Sequence, residues 1–187
     1  MKLITGFYAA GVALLTIPAA ALAGGIAYDC DTAADHFSEL SLPAGGGPFK
    51  VTGKVQLNSL AVSSTFIPIA RIQVASAATP GHPPKMFAGF SISALPVDPK
   101  KMPSGEASIQ MLSYNFNGKD DEILPLSLMT KPGTVQSFEL SYDLSKVSVN
   151  LGNEAKSFLL KDADPVVRIV CSTGEFLFTD LTITPLR

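Results

Sequence analysis

The residues able to do chemistry are few and scattered. There are two histidines, His36 and His82. A Ser-His-Asp or Cys-His machine needs one of them beside a nucleophile. His82 sits in Thr79-Pro80-Gly81-His82-Pro83-Pro84, a stiff segment that reads as an exposed loop. His36 lies among Asp31, Asp35 and Glu39, so it could serve as a ligand, but it reads first as part of a solvated terminal segment. No G-x-S-x-G elbow is present. Glycoside hydrolysis needs two carboxylates flanking one bond. The one acidic cluster, Asp120-Asp121-Glu122, has adjacent members, and neighbours on a strand point to opposite faces. It reads as a hairpin tip. A hydrolase or lyase would require Glu106, Glu139 or Asp143 to converge in a cleft.

Two binding ideas survive that filter. The run from Asn115 to Glu122 sets oxygen-bearing side chains around the Asn117-Gly118 turn. Calcium takes six to eight oxygens from such loops, which makes Asn117, Asp120, Asp121 and Glu122 candidate calcium ligands. The spacing misses the EF-hand pattern and Lys119 intrudes, and Asn-Gly is itself a common hairpin turn. No other cofactor is expected. Sugar sites present aromatic platforms, and the chain has no Trp. Tyr114, next to Asn115 and Asn117, is the candidate exposed ring, and these three form the candidate ligand-binding set. Tyr142 is in phase with Phe138 and Leu140 and reads as core.

The elements that must position these residues are strands. Phe49, Val51, Val55 and Leu57 fall on one face of a segment whose other face is Lys50, Thr52, Lys54 and Gln56. Strict alternation puts one face in a core and one in water. Similar patterns run over 69–75, 86–95, 107–116, 123–129, 135–142, 146–151, 166–171 and 176–184, the fifth of them holding Pro125 and so reading as an edge. The stretch 166–171 is apolar on both faces apart from Arg168. Residues 31–40 suggest one short helix. About nine short strands with Gly/Pro punctuation predict an all-β chain, an antiparallel β-sandwich of the jelly-roll kind.

The N-terminus reads as a secretory leader over residues 1–23. Lys2 is the only charge before Asp29, an apolar stretch follows, and Ala21-Leu22-Ala23 is a small-x-small cleavage pattern. The other reading is a membrane anchor, although the segment is only marginally long enough to span a bilayer and carries Pro18. Cleavage leaves residues 24–187 as one domain, with no later apolar run long enough to insert in a membrane. Loss of Lys2 leaves 13 Lys and Arg against 16 Asp and Glu, a net charge of −3. That balance provides no basic footprint for nucleic acid. Cys30 and Cys171 are the two cysteines. In an oxidising compartment such a pair usually bridges, and the alternative is two buried thiols.

The run Phe138-Glu139-Leu140-Ser141-Tyr142-Asp143, then Val147 to Asn153, then the closing strand Gly174 to Ile183, resembles the concanavalin-like lectin and laminin-G jelly rolls. In those folds the last strand returns beside the first. The resemblance therefore implies that neighbouring terminal strands bring Cys30 and Cys171 together. A pilin-like or immunoglobulin-like sandwich would show a similar strand pattern. The retaining glucanases of the superfamily carry a Glu-x-Asp-x-x-Glu strand that is missing from this sequence. Three functions follow. The first is an exported, non-catalytic sandwich, periplasmic or extracellular, that binds a glycan or an envelope protein. The second is a glycan-active hydrolase or lyase, and the third is a subunit of a surface fibre or layer.

Overall fold

A computed structural model describes residues 25–61, 63–79, 82–96, 100, 108–117, 119–123, 130–131 and 133–187. Every named element in it is a strand: β1 (Ile26–Asp31), β2 (Phe37–Pro43), β3 (Phe49–Leu60), β4 (Ile69–Ser76), β5 (Phe87–Pro96), β6 (Ser108–Phe116), β7 (Lys119–Ile123), β8 (Gln136–Tyr142), β9 (Lys146–Leu151), β10 (Glu154–Leu159), β11 (Pro165–Ser172) and β12 (Gly174–Pro185). They form two antiparallel sheets of six strands. The first runs β1-β12-β3-β8-β9-β10 and the second β2-β11-β4-β5-β6-β7. The all-β sandwich read from the alternation is therefore the fold. The closing strand β12 does lie beside β1, and its other neighbour is β3.

The strand count is higher than the nine read from the sequence. Four strands were not anticipated: β1, β2, β7 and β10. The short helix expected over 31–40 is absent. A turn at Ala34-Asp35, with Asp35 at φ 63°, leads directly into β2. Ser38, Leu40 and Leu42 of β2 pair with Cys171, Ile169 and Val167, so the segment gains more from completing a sheet than from a single isolated helical turn. The backbone of Asp120-Asp121-Glu122 runs within β7 and is not a hairpin tip. Of the apolar stretch 123–129, Ile123 ends β7 and 124–129 lie outside the described residues.

The two sheets share one core. Phe49, Val51, Val55 and Leu57 of β3 are at most 1 % exposed, as the alternation required. Across the gap stand Ile72 and Val74 of β4 and Phe90 and Ile92 of β5. Phe90 meets Phe138 at 5.3 Å between ring centroids. Each such side chain stabilises the fold by about 1.5–3 kcal/mol. Tyr142 is buried, as its phase with Phe138 and Leu140 implied. Its hydroxyl donates to the Asp162 carbonyl at 2.6 Å and accepts from the Asp162 N–H at 3.1 Å. Tyr142→Phe removes a partner from both backbone groups. It is expected to lower the unfolding free energy by about 1–2 kcal/mol in a urea titration. A loss near zero would mean that solvent replaces the hydroxyl there.

Cys30 and Cys171 are joined, with a Cα–Cα distance of 6.4 Å. The expectation that they sit on neighbouring terminal strands needs correction. Cys30 is on β1 in the first sheet and Cys171 on β11 in the second, so the bridge crosses the core and ties one sheet to the other.

Candidate functional site

The outer face of the second sheet carries buried polar side chains where an ordinary sandwich would show solvated ones. Alternation assigns the faces. Ala70, Ile72 and Val74 of β4 enter the core, so Gln73 points outward. By the same parity Ser91 and Ser93 of β5, Ser113 and Asn115 of β6, and Arg168 of β11 are outward. Yet Gln73 is 2 % exposed, Ser91 0 %, Ser113 1 % and Asn115 3 %. Buried polar groups need partners, and these have them.

Strand register builds the band. Arg168 stands opposite Gln73, Gln73 opposite Gly89, and Gly89 opposite Asn115, a row across β11, β4, β5 and β6. Gly89 adds no side chain between its neighbours, and the Gln73 amide donates across it to the Asn115 side-chain oxygen. No other residue fits at position 89, since a Cβ there would lie 1.9 Å from the Ile72 carbonyl oxygen. Arg168 extends the row outward. Its NH1 donates to Gln73 Oε1 at 3.4 Å. Its Nε and NH2 donate to the two oxygens of Glu39 at 2.9 and 2.8 Å. This fork-on-carboxylate geometry is the strong form of the ion pair, and both side chains are largely shielded, at 12 % and 9 % exposure. One row along, the Ser91 and Ser113 hydroxyls meet at 2.7 Å. The accessible rim of the band is on β2 and β4, where Ser41 and Arg71 are exposed on the same face.

The residues singled out from the sequence are placed differently. Asn115 belongs to the band. Tyr114 does not offer the exposed ring expected of it. It is 6 % exposed, on the core side of β6, against Phe158 at 5.5 Å and under the Lys156 ammonium at 5.4 Å. Its phase with Leu112 and Phe116 is what turns it inward. Burial, and then the nearby Glu154 carboxylate, push its phenol above the ordinary tyrosine range. Asn117 is an exposed turn residue at φ 44°, and its side-chain oxygen accepts the Phe87 N–H at 3.2 Å. The side chains of Asp120, Asp121 and Glu122 lie outside the described residues. Among the described residues no cluster of three or more His, Cys, Asp or Glu has metal-binding geometry.

Of the carboxylates that a hydrolase would need, the two among the described residues, Glu139 and Asp143, have different surroundings. Glu139 is on the outer face of the first sheet, paired with Lys50 at 3.4 Å and accepting from Asn150 at 3.2 Å. It lines a shallow depression of about 470 Å³ together with Thr52, Gln136 and Asn150. Asp143 is exposed in the β8–β9 turn, where the Ser145 hydroxyl, ahead of two backbone N–H groups, holds its carboxyl below the usual aspartate range. Glu106 lies outside the described residues. Both histidines are exposed, and His36 Nδ1 is 2.8 Å from the Ala34 carbonyl oxygen.

Comparison with solved structures places the fold. A scytalido-glutamic peptidase matches with a TM-score of 0.52 at 12 % identity, over 80 % of each chain. The chain has the concanavalin-like jelly-roll fold. Other jelly rolls match less closely. CG-16, a homodimeric agglutinin from chicken liver, has a TM-score of 0.43 at 13 % identity over 79 % of this chain and all of the agglutinin. The alginate lyase AlyA1 from Zobellia galactanivorans has a TM-score of 0.47 at 10 % identity, over 79 % of this chain and 65 % of the lyase. No protein-family model matches the sequence, nor does any curated protein sequence. At 12 % identity the peptidase match shows a shared fold alone. The chain's own residues must carry any argument about function.

The Glu39–Arg168–Gln73–Asn115 band was not foreseen as a unit. Its one sequence signal was Arg168, the lone polar residue in a strand otherwise apolar on both faces.

Proposed function

We propose that the protein is an exported, non-catalytic binding module, and that it takes a hydroxyl-rich ligand, a glycan, on the outer face of the second sheet. The observation that carries this reading is the buried band Glu39–Arg168–Gln73–Asn115. A guanidinium, a carboxylate and two amides buried on a sheet's outer face are costly unless paired, and here each is paired, which fixes the groups in position. The exposed Ser41 hydroxyl donates to Glu39 at 3.4 Å and the exposed Arg71 stands opposite Ser91, and alcohol, amide and guanidinium groups are those that hydrogen-bond to sugar hydroxyls. The band's own charges are paired with each other, which suits binding better than acid–base work.

Export fits the leader-like residues 1–23, removed after Ala23, and the disulfide fits the periplasm or the extracellular space. No helix among the described residues is long and apolar enough to cross a membrane.

The test is a glycan-array screen of the oxidised protein, purified after export, with calcium and with chelator. A reproducible hit is expected. Arg71→Ala should weaken it about tenfold or more without loss of folding, because Arg71 is exposed. Lys54→Ala, on the opposite sheet, should leave it unchanged. A hit that fades with chelator would add calcium to the site and point to the Asn117–Glu122 turn. An array without hits would overturn the glycan reading. A hit sensitive to Lys54 but not Arg71 would move the site to the other face.

A further inference from the structure

One end of the sandwich gathers exposed apolar side chains. It lies where the β1–β2 turn, the end of β3 and the approach to β4 meet the turn between β11 and β12. Backbone hydrogen bonds fix that meeting. Ala61 N–H donates to the Thr173 carbonyl and Thr173 N–H to the His36 carbonyl, each at 3.3 Å. The Ser63 hydroxyl donates to Asp35 at 2.5 Å and accepts from the Thr65 and Phe66 N–H groups at 3.0 Å. Around this frame stand Phe37, Leu60, Phe66 and Ile67, at 60 %, 42 %, 56 % and 39 % exposure. A single exposed apolar residue needs no explanation, whereas a group of them with a polar rim marks an interaction surface.

The rim is acidic. Asp31 of β1 stands directly opposite Glu175 of β12, and Glu175 stands opposite Ser59, the neighbour of Leu60. Like charges directly opposite each other destabilise an antiparallel pair. Glu175 accepts from neutral donors, Asn58 at 3.3 Å and Ser59 at 3.0 Å. Asp35 adds a third carboxylate beside Phe66. Glu139, Asp143 and Asp180 each have a lysine, but no described lysine or arginine forms an ion pair with Asp31, Asp35 or Glu175. Arg71, two residues into β4 from Ile69, belongs to the outer face of the second sheet.

We infer that this end of the sandwich docks a basic amphipathic helix of a partner polypeptide. The apolar stripe of the helix covers Phe37, Leu60, Phe66 and Ile67, and its lysines or arginines enter the acidic rim. The Asp31–Glu175 pair decides the sign of the partner's charge, because a cation placed against both relieves their repulsion. The row Ala61–Thr173–His36 spans two strand spacings, about 10 Å, which matches two turns of helix. Apolar anchors spaced along one face of a helix are the recognition mode that such a surface suits. A second copy of this end would bring the same carboxylates, and an anionic bilayer would repel them. The docking does not use the polar band, so it stands apart from what the band binds.

The probe is a dye-labelled helical peptide with leucines at i, i+3, i+4 and i+7 and lysines elsewhere. Its fluorescence anisotropy is followed as the oxidised, exported protein is added. Binding in the micromolar range is expected, weakening as salt rises. Phe66→Ser should weaken it about tenfold. Asp31→Asn should weaken it about threefold, with a thermal midpoint equal to wild type or higher, since it removes a like-charge pair. Leu159→Ser, at a site 78 % exposed on the β10 edge, should leave binding unchanged. The asparagine variant keeps the test decisive if the serine variant folds poorly. Absence of binding, or binding that neither Phe66→Ser nor Asp31→Asn weakens, would overturn the inference. So would equal binding of a peptide with glutamates in place of the lysines, an equal loss from Leu159→Ser, or retention of the protein by anionic vesicles and not by the peptide.

Discussion

Replacing Cys30 and Cys171 together by alanine is expected to lower the unfolding free energy by about 5 kcal/mol. The bridge spans 141 residues of sequence, and closing a loop of that length in the unfolded chain accounts for about that much by chain entropy. Net stabilities of single domains are about 5–15 kcal/mol, so the loss is a third or more of the whole and leaves about 0–10 kcal/mol. Both half-cystines are at most 1 % exposed, and the small void left by two alanines adds to the loss. Urea titration followed by circular dichroism measures it. The dependence on urea should also steepen, because the unfolded chain without its bridge exposes more surface. Wild type titrated in reductant should reproduce the variant. A deficit under about 1 kcal/mol in both would show that the unfolded ensemble already holds these strands together.

The second large effect is at Arg168. Arg168→Met is expected to destabilise by about 3 kcal/mol, since it strips the guanidinium from a carboxylate that is only 9 % exposed. It also removes a donor from Gln73, which passes the disturbance along the band to Asn115. The informative variant is the double one. Arg168→Met with Glu39→Leu removes both charges, and most of the loss should be recovered, because the surroundings are largely dry. A double-mutant cycle on thermal or urea unfolding isolates the coupling. Equal losses in the single and double variants would mean that packing of the long side chain, and not the ion pair, holds β2 to β11.

Alternation made most of the sandwich legible. Lys146–Leu151 was read with the bounds it has in the structure, and 69–75, 107–116, 135–142 and 166–171 fall within one residue of β4, β6, β8 and β11 at each end. These strands have one apolar face because a core requires it, and a period of two survives without tertiary context. The unanticipated strands lack that signature for identifiable reasons. In β10, Glu154 and Lys156 occupy the core-facing positions beside Phe158, so its pattern reads as polar. In β2, one of the three core-facing positions is Ser38, since an edge strand buries less. Tyr114 shows the rule from the other side. Its phase with Leu112 and Phe116 was visible, and phase outweighed the polar turn beside it.

The sequence by itself determined the class of the fold, its core faces and the two cysteines available for bridging. Each of these is a local pattern or a count, and neither needs a partner strand to be recognised. The tertiary structure decided the rest. It set the bridge between the sheets and assembled the polar band from residues 95 and 129 positions apart in sequence. The reason is strand register. A polar residue on an outer face looks the same in sequence whether it meets water or a guanidinium, and only the pairing of β2, β11, β4, β5 and β6 determines which.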